Sequence, residues 1–435
     1  MIGSVAARVY AQDCAAAELC TRMSMRGFAF DTERAKEIAE SLRSAEQAAI
    51  KKCDDAVGRK LSRTKTDGIS TKDLEVAFFK DMGAPVFFRS QLTGKPSLGI
   101  DSMRGYAACQ SEALRALALG VLEFRRARKI RSTYVESVVI DDDGRVHPGW
   151  QNYGAVSGRW SCADPNLMNL PRKSTDPTSK THDGGIRSLY RASRGCSLVA
   201  FDKKQLEMRI AAYASGDAAM IAACESVDLH SANATVLFGD AFTLCTDPVA
   251  RAQMRTAAKS AGFAVCYLAE APTVYARIVA EGLPIKLRQV EVMLTRLQRG
   301  FGTYYSWQDR RLLECIRRGY TDTPILGRQR WLGHEPTPTE CANFPIQGGA
   351  ADVMNALLAD PYGSGLEALI RKEAPGAHMV AQVHDSAVFD VPNRYVATVE
   401  RLCREANEKP VAIGSSGAML WPVLGIDLET SERWH

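Results

Sequence analysis

From Thr32 to about Lys52, Ala35, Ile38, Ala39, Leu42, Ala45, Ala49 and Ile50 recur at helical spacing, and Asp31 stands where a cap belongs. The pattern predicts a long amphipathic helix opening the chain. A second helix is predicted in ISTKDLEVAFF, where Ser70 and Asp73 have the spacing of a capping box, and a third through SEALRALALGVLEFRRARKIRSTYVESV. Residues 1 to about 140 therefore read as mostly helical. After the turn signal DDDG at 141–144, β-branched and aromatic residues punctuated by Gly and Pro (RVHPGWQNYGAVSGRWS) mark a lobe boundary. The stretch from 216 to about 340 returns to helical spacing, with a Gly-rich interruption at RGFGTYYSW. Strand pattern appears in CSLVAF, ahead of Asp202, and in HMVAQV and AVFDV, which flank His384, Asp385 and Ser386 as the arms of a hairpin would. No internal repeat or low-complexity tract is present.

Composition narrows this only slightly. A chain of 435 residues with 46% apolar content has room for two or three lobes with proper cores. A formal charge of +5 fits many soluble enzymes at least as well as a nucleic-acid binder, so the distribution of charge must decide. The 12 cysteines are scattered singly, without a CxxC pair or a Cys/His cluster at metal spacing, which predicts reduced, largely buried thiols in a cytosolic protein. MIGSVAARVYAQD lacks the apolar core of a signal peptide. The most apolar run, AGFAVCYLA, ends at Glu270 and is too short to span a membrane.

The candidate chemistry lies in two carboxylates. Asp202 and Asp385 each follow a β-rich run, so both can project from strand ends into one site, and paired acidic oxygens are what two divalent cations need. Between them, RTAAKSAGFAVCY places Arg255, Lys259, Phe263 and Tyr267 at successive i+4 steps. On a helix this is a stripe of two cations and two rings about 18 Å long. Cations suit a triphosphate and rings suit a base. Taken singly, each signal has a plainer reading: Asp385 as a turn residue, the stripe as an amphipathic surface helix with core aromatics.

The order of the motifs is more specific. GRWSCADPNLMNLP, DKKQLEMRIAAYASGD, DLHSANATVLFG, RTAAKSAGFAVCY, LGRQRWL, NFPIQGGAADVM and QVHDS follow one another as in family A DNA polymerases of the bacterial DNA polymerase I type. The chain resembles the polymerase region of that family from about residue 15 onward, and MRGFAFDTERA, ISTKDLEVAFFKDMG and RKIRSTY resemble its thumb. The resemblance implies an α+β right-hand fold with an antiparallel palm sheet: thumb 1–150, palm 151–215 and 345–435, helical fingers 216–344. It implies that Asp202 and Asp385 bind two Mg²⁺, with Mn²⁺ an acceptable substitute, for in-line phosphoryl transfer. Arg255, Lys259 and His230 would hold the phosphates of an incoming dNTP. Phe263 and Tyr267 would bracket its base and sugar, with Gln205 and Glu207 completing that pocket, and Phe263 in place of Tyr would disfavour dideoxynucleotides. Arg159, Asn166, Asn343, Gln347 and His384 would lie near the primer terminus and its minor groove. Arg125, Arg126, Arg128, Lys129 and Arg131 would grip duplex phosphates, although such a run otherwise reads as a solvated helix face.

Three departures stand out: Lys203-Lys204 where the family has Tyr-Ser, Leu268 where it has Gly, and Ser386 where it has Glu. His-Asp-Ser also resembles single-subunit phage RNA polymerases, so an RNA polymerase-like enzyme remains open, as does a DNA-binding relative without chemistry. Glu207 argues against the first, since RNA polymerases carry a small residue there, and the retained triphosphate residues argue against the second. FDTE at 30–33 reads as a helix start and not as a proofreading exonuclease motif, so no exonuclease lobe is expected in this chain. Primer-template DNA and dNTPs are the implied partners, with a separate exonuclease, helicase or processivity factor as further candidates and no membrane. Small size and the departures suggest a phage or mobile-element replicase acting in the cytoplasm, that of a bacterial host if phage-encoded.

Overall fold

The structure, a computed structural model, describes residues 5–66, 68–90, 93–170, 185–226, 228–266, 268–280, 285–333, 335–408, 412–413, 419–420 and 425–435. For 260, 263–266, 280, 412–413 and 419–420 it describes the backbone alone. The fold is α+β, and the chain forms two compact units. One break between the units falls between His147 and Pro148. Met1–Gly27, however, belongs with Pro148–Ala163 and Ala192–Glu432, while Asp164–Arg191 and Arg433–His435 join Phe28–His147.

The chain opens with helix α1 (Val5–Arg26), ahead of the helix predicted to come first. Gln12 sits on its buried face and breaks the apolar stripe. The Gln12 amide is nonetheless satisfied, donating to the carbonyls of Asn355 and Ala359 at 2.8 and 2.7 Å. After strand β1 (Phe28–Ala29), α2 (Thr32–Val57) runs five residues past the predicted Lys52, from the Asp31 carboxylate accepting the Arg34 amide to Gly58 at φ 74. Helix α3 (Thr71–Val76) corrects the expected capping box: Ser70 holds the cap position without a side-chain bond. Asp73 is drawn away by the Arg59 guanidinium, at 2.9 and 3.1 Å, and by the Ser62 amide. Helices α4 (Ile100–Ala107) and α5 (Glu112–Tyr134) complete this unit's core, in which α2 and α5 meet so closely that a Cβ on Gly120 would lie 2.7 Å from Cys53 Sγ. Strand β2 (Arg145–Val146) pairs with β1.

The other unit begins again with a short hairpin, β3 (Gly149–Gln151) and β4 (Ser161–Ala163), then β5 (Cys196–Lys203). A helical run follows: α6 (Leu206–Ser215), α7 (Ala218–Glu225), α8 (Leu229–Phe238), α9 (Asp240–Thr243), α10 (Pro248–Cys266), α11 (Ala271–Ala280), α12 (Leu287–Gly300) and α13 (Gly302–Arg318). The predicted Gly-rich interruption shrinks to Phe301, because the residues after it are helical. A hairpin of β6 (Tyr320–Asp322) and β7 (Gln329–Trp331) leads to α14 (Pro338–Leu358), which opens with a Thr337–Glu340 capping box and Pro338 in its first turn. Pro345 lies inside α14 and has no amide for the Cys341 carbonyl; the Thr321 hydroxyl donates to that carbonyl at 3.4 Å instead.

Next come α15 (Leu366–Glu373), β8 (His378–Val383), β9 (Ser386–Pro392), α16 (Val396–Asn407), the short pair β10 (Ala412–Ile413) and β11 (Met419–Leu420), and β12 (Ile426–Ser431). Strands β8 and β9 are the expected hairpin. The main sheet has the order β12-β5-β9-β8, antiparallel throughout, so β5 lies centrally between strands from far along the chain. Ser386–Val391 is wholly buried, and Phe201 stacks on Phe389 at 6.4 Å within this core.

Candidate active site

Asp202 is the penultimate residue of β5, and Asp385 immediately precedes β9. Asp202 lies opposite Ser386, and the Lys203 amide donates to the Asp385 carbonyl at 2.9 Å, so the two acids leave the same end of the sheet on adjacent strands. Burial pushes the Asp385 carboxyl up to about 7; the charges of Glu207 and Asp202 add to this, while Arg159 and Lys203 oppose it. Glu207 stands in the first turn of α6 and forms an ion pair with Arg159, which follows Gly158 in the loop between β3 and β4. Two residues interleaved with these acids, Gln205 and His384, have left-handed backbones at φ 56 and 54. Such conformations cost a non-glycine residue about 1–2 kcal/mol and gather at functional sites.

This donor set fits divalent metal. Among the described residues no group of three or more His, Cys, Asp or Glu stands at ligand spacing. Two carboxylates on neighbouring strands are nevertheless the usual protein share of a Mg²⁺ site, whose remaining positions go to water and phosphate. A carboxyl held near 7 by burial, with the charges of Glu207 and Asp202 adding to the shift, is also one that a cation relieves.

A second cluster lies where α8 meets α10. Burial, then the charges of Arg255 and Lys259, hold His230 below the usual histidine range against the opposing charge of Asp228, so the imidazole is neutral at pH 7. Close approach of the helices requires Gly262, where a Cβ would lie 2.6 Å from Asn233 Nδ2, and buried Ala258 and Ala261 beside it. Phe263 and Tyr267, the predicted rings, lie outside the described side chains. Leu268, where the family resemblance expects Gly, has φ 52, a backbone in which glycine is free of strain and leucine is not.

Helix α14 brings Asn343 and Gln347 to one face at i and i+4, and Asn343 Oδ1 is buried without a hydrogen-bond partner. Gly348 and Gly349 let α14 approach its neighbours: a Cβ on the first would lie 2.6 Å from Thr323 Cγ2 and 3.3 Å from the Ser157 carbonyl, and on the second 3.2 Å from Ile210 Cγ2 in α6. Ser157 of the loop that carries Arg159, and α6, which carries Glu207, thereby pack closely on α14.

The model of DNA polymerase family A matches residues 32–435, nearly the whole chain. The chain belongs to DNA polymerase family A. It is 30% identical over 355 residues to the thermostable DNA polymerase I of Thermus aquaticus, covering 78% of this chain and 39% of that protein. It is 28% identical over 355 residues to the DNA polymerase of Bacillus phage SP01 (78% and 36%), and 25% identical over 433 residues to DNA polymerase I of Bacillus subtilis (95% and 44%). The chain thus spans less than half the length of these relatives. A solved structure of the POL domain of Pol1 from M. smegmatis, in complex with DNA primer-template and dNTP, superposes with a TM-score of 0.76 at 22% identity over 96% of this chain and 69% of that one. The fold is therefore that of a family A polymerase domain.

Other residues predicted from the family pattern are placed less simply. Asn166 belongs to the unit that contains α2–α5, where its side chain caps a short 3₁₀ turn by accepting the Met168 amide at 3.1 Å. The five-cation run on α5 does not form one face, because seven consecutive helical positions radiate around the axis. Arg125 donates to the Leu98 carbonyl at 2.6 Å, Arg128 to Thr66, and Arg131 pairs with Glu46 and Glu136. Of the five, Arg126 and Lys129 are exposed and the other three are partly buried. Among the departures, Ser386 turns its hydroxyl into the hairpin's own Val383 carbonyl at 2.8 Å, Lys203 is buried, and Lys204 pairs with Asp427 at 2.8 Å. Sequence reasoning missed Asp228, whose carboxylate grips Arg255; an Asp ahead of a helix signals only a cap.

Proposed function

We propose that this chain is a DNA-directed DNA polymerase that adds deoxynucleotides to a primer 3′ end on a template, using two divalent cations. The observation that carries the reading is the emergence of Asp202 and Asp385 from adjacent strands at one sheet end, beside the Glu207–Arg159 pair. In this reading the sheet and α14 are the palm, α7–α13 the fingers and α2–α5 the thumb. Asp202 and Asp385 hold the metals, which when bound would lower the pKa of the primer hydroxyl and offset charge on the triphosphate. Arg255, Lys259 and neutral His230 donate to phosphate oxygens. Glu207 crowds the 2′ position of the sugar and excludes ribonucleotides, while Arg159, Asn343, Gln347 and His384 offer hydrogen bonds to minor-groove acceptors that every base pair presents. Primer-template and dNTP, the ligands named for the M. smegmatis neighbour, are the substrates this geometry would take.

FDTE at 30–33 is not an exonuclease motif in this reading. The Asp31 oxygens accept from the Arg34 amide at 3.0 Å and the Arg433 guanidinium at 2.6 Å, and Glu33 pairs with Lys36. Primer extension with Mg²⁺ or Mn²⁺ and either dNTPs or NTPs tests the proposal. Extension with dNTPs alone is expected; equal use of NTPs would establish the RNA polymerase reading, and no extension with either would establish a binding protein.

A further inference from the structure

The Asp228 carboxylate receives four hydrogen bonds. Two come from its own helix: the His230 amide donates to Oδ1 at 3.1 Å and the Ser231 hydroxyl to Oδ2 at 2.6 Å. The other two come from Arg255 across the α8–α10 contact, Nε to Oδ2 at 2.7 Å and Nη2 to Oδ1 at 3.0 Å. The first pair fixes the carboxylate as the cap of α8, so its position is set whether or not Arg255 is present. The second pair is a bidentate fork, which fixes the plane of the guanidinium as well as its distance. Both bonds use the Nε/Nη2 edge. The Nη1 end makes no hydrogen bond among the described residues, and the Arg255 side chain is 44% exposed. The helices that carry the two partners cannot slide freely, because a Cβ on Gly262 of α10 would lie 2.6 Å from Asn233 Nδ2 of α8.

We propose that Asp228 is a positioning residue for the nucleotide triphosphate: it clamps Arg255 by its inner edge and presents the Nη1 end toward the phosphates. This rests on the reading of Arg255 as a phosphate ligand. A mobile carboxylate paired with Arg255 would compete with the phosphates; one already held by its own helix and gripping only the inner edge does not. Without the clamp, the arginine must order its long side chain each time a nucleotide binds, which weakens binding of groups that do not themselves react.

The test is a mutant cycle on the full chain, with steady-state dNTP kinetics in primer extension. Asn and Ser both cap helices about as well as Asp, so Asp228→Asn and Asp228→Ser preserve α8 while removing the charged fork. Each is expected to raise KM for dNTP about tenfold with kcat changed less than twofold. In an Arg255→Lys background, where no fork exists, Asp228→Asn is expected to add less than a twofold further change. A fall in KM, or the same rise in both backgrounds, would overturn the clamp. If Arg255→Ala itself leaves KM for dNTP within twofold, the assignment of the triphosphate site fails; a large Arg255→Ala effect beside silent Asp228 variants removes the clamp alone.

Discussion

Asp202→Ala or Asp385→Ala should abolish nucleotide addition and leave primer-template affinity within a few fold, because metal ligation serves chemistry while duplex affinity comes from phosphate contacts. Single-turnover extension and a gel-shift titration check both halves. Glu207→Ala removes the bulk expected against a 2′-hydroxyl, so discrimination between dNTPs and NTPs should fall on the order of a thousand-fold. The same change takes the carboxylate from Arg159, so ordinary extension should also slow, an effect that competing dNTP and NTP incorporation assays separate from the loss of selectivity. The two acids were legible because each follows a strand-like run. Asp228 was not, since a carboxylate before a helix already has a sufficient local explanation. Nothing in the residue types signals that Gln205 and His384 take left-handed backbones, which follow from how the strand ends must turn.

At the scale of elements, local chemistry and tertiary contact compete. Asp73 left its helix cap for Arg59, and that fork, then the Ser62 amide, holds its carboxyl down to about 2. A depressed folded-state pKa contributes stability that is complete above the unfolded value of about 3.9 and is lost as pH falls through about 2. Asp73→Asn should therefore flatten acid unfolding across that window, read by circular dichroism, and lower stability at neutral pH. Gly348→Ala should push α14 from Thr323 and the Ser157 carbonyl at a cost of about 1–3 kcal/mol, visible as a lower denaturant midpoint. Helices with a clean apolar stripe, α2 and α5 among them, were readable from spacing, as was the β8–β9 hairpin. Helix α1 was not, because Gln12 occupies its buried face, and the hairpins β3–β4 and β6–β7 have strands too short to show alternation.

Across the larger unit, one buried charge cluster ties together distant segments. Arg328, 3% exposed, forks onto Asp13 of α1 at 2.7 and 2.9 Å and donates to buried Asp352 of α14 at 3.0 Å; Asp352 also accepts from Thr323 and the Leu326 amide. Asp352→Ala strands part of a buried cation and should cost about 3–5 kcal/mol, whereas Asp13→Ala, at a site open to water, should cost less; paired denaturant melts would rank them. No sequence pattern links these three residues, since their partnership exists only after folding. The same holds more severely for the main sheet. Strand β5 finds its neighbours in β9 and β12, almost the whole second half of the chain away. During synthesis the Asp202 strand must wait with both edges open while α6–α15 emerge, a long interval in which it can recruit another chain's strand. Chaperone demand and slow refolding should thus accompany this arrangement, and activity should not appear before β9 pairs with β5, the step that brings the two acids together.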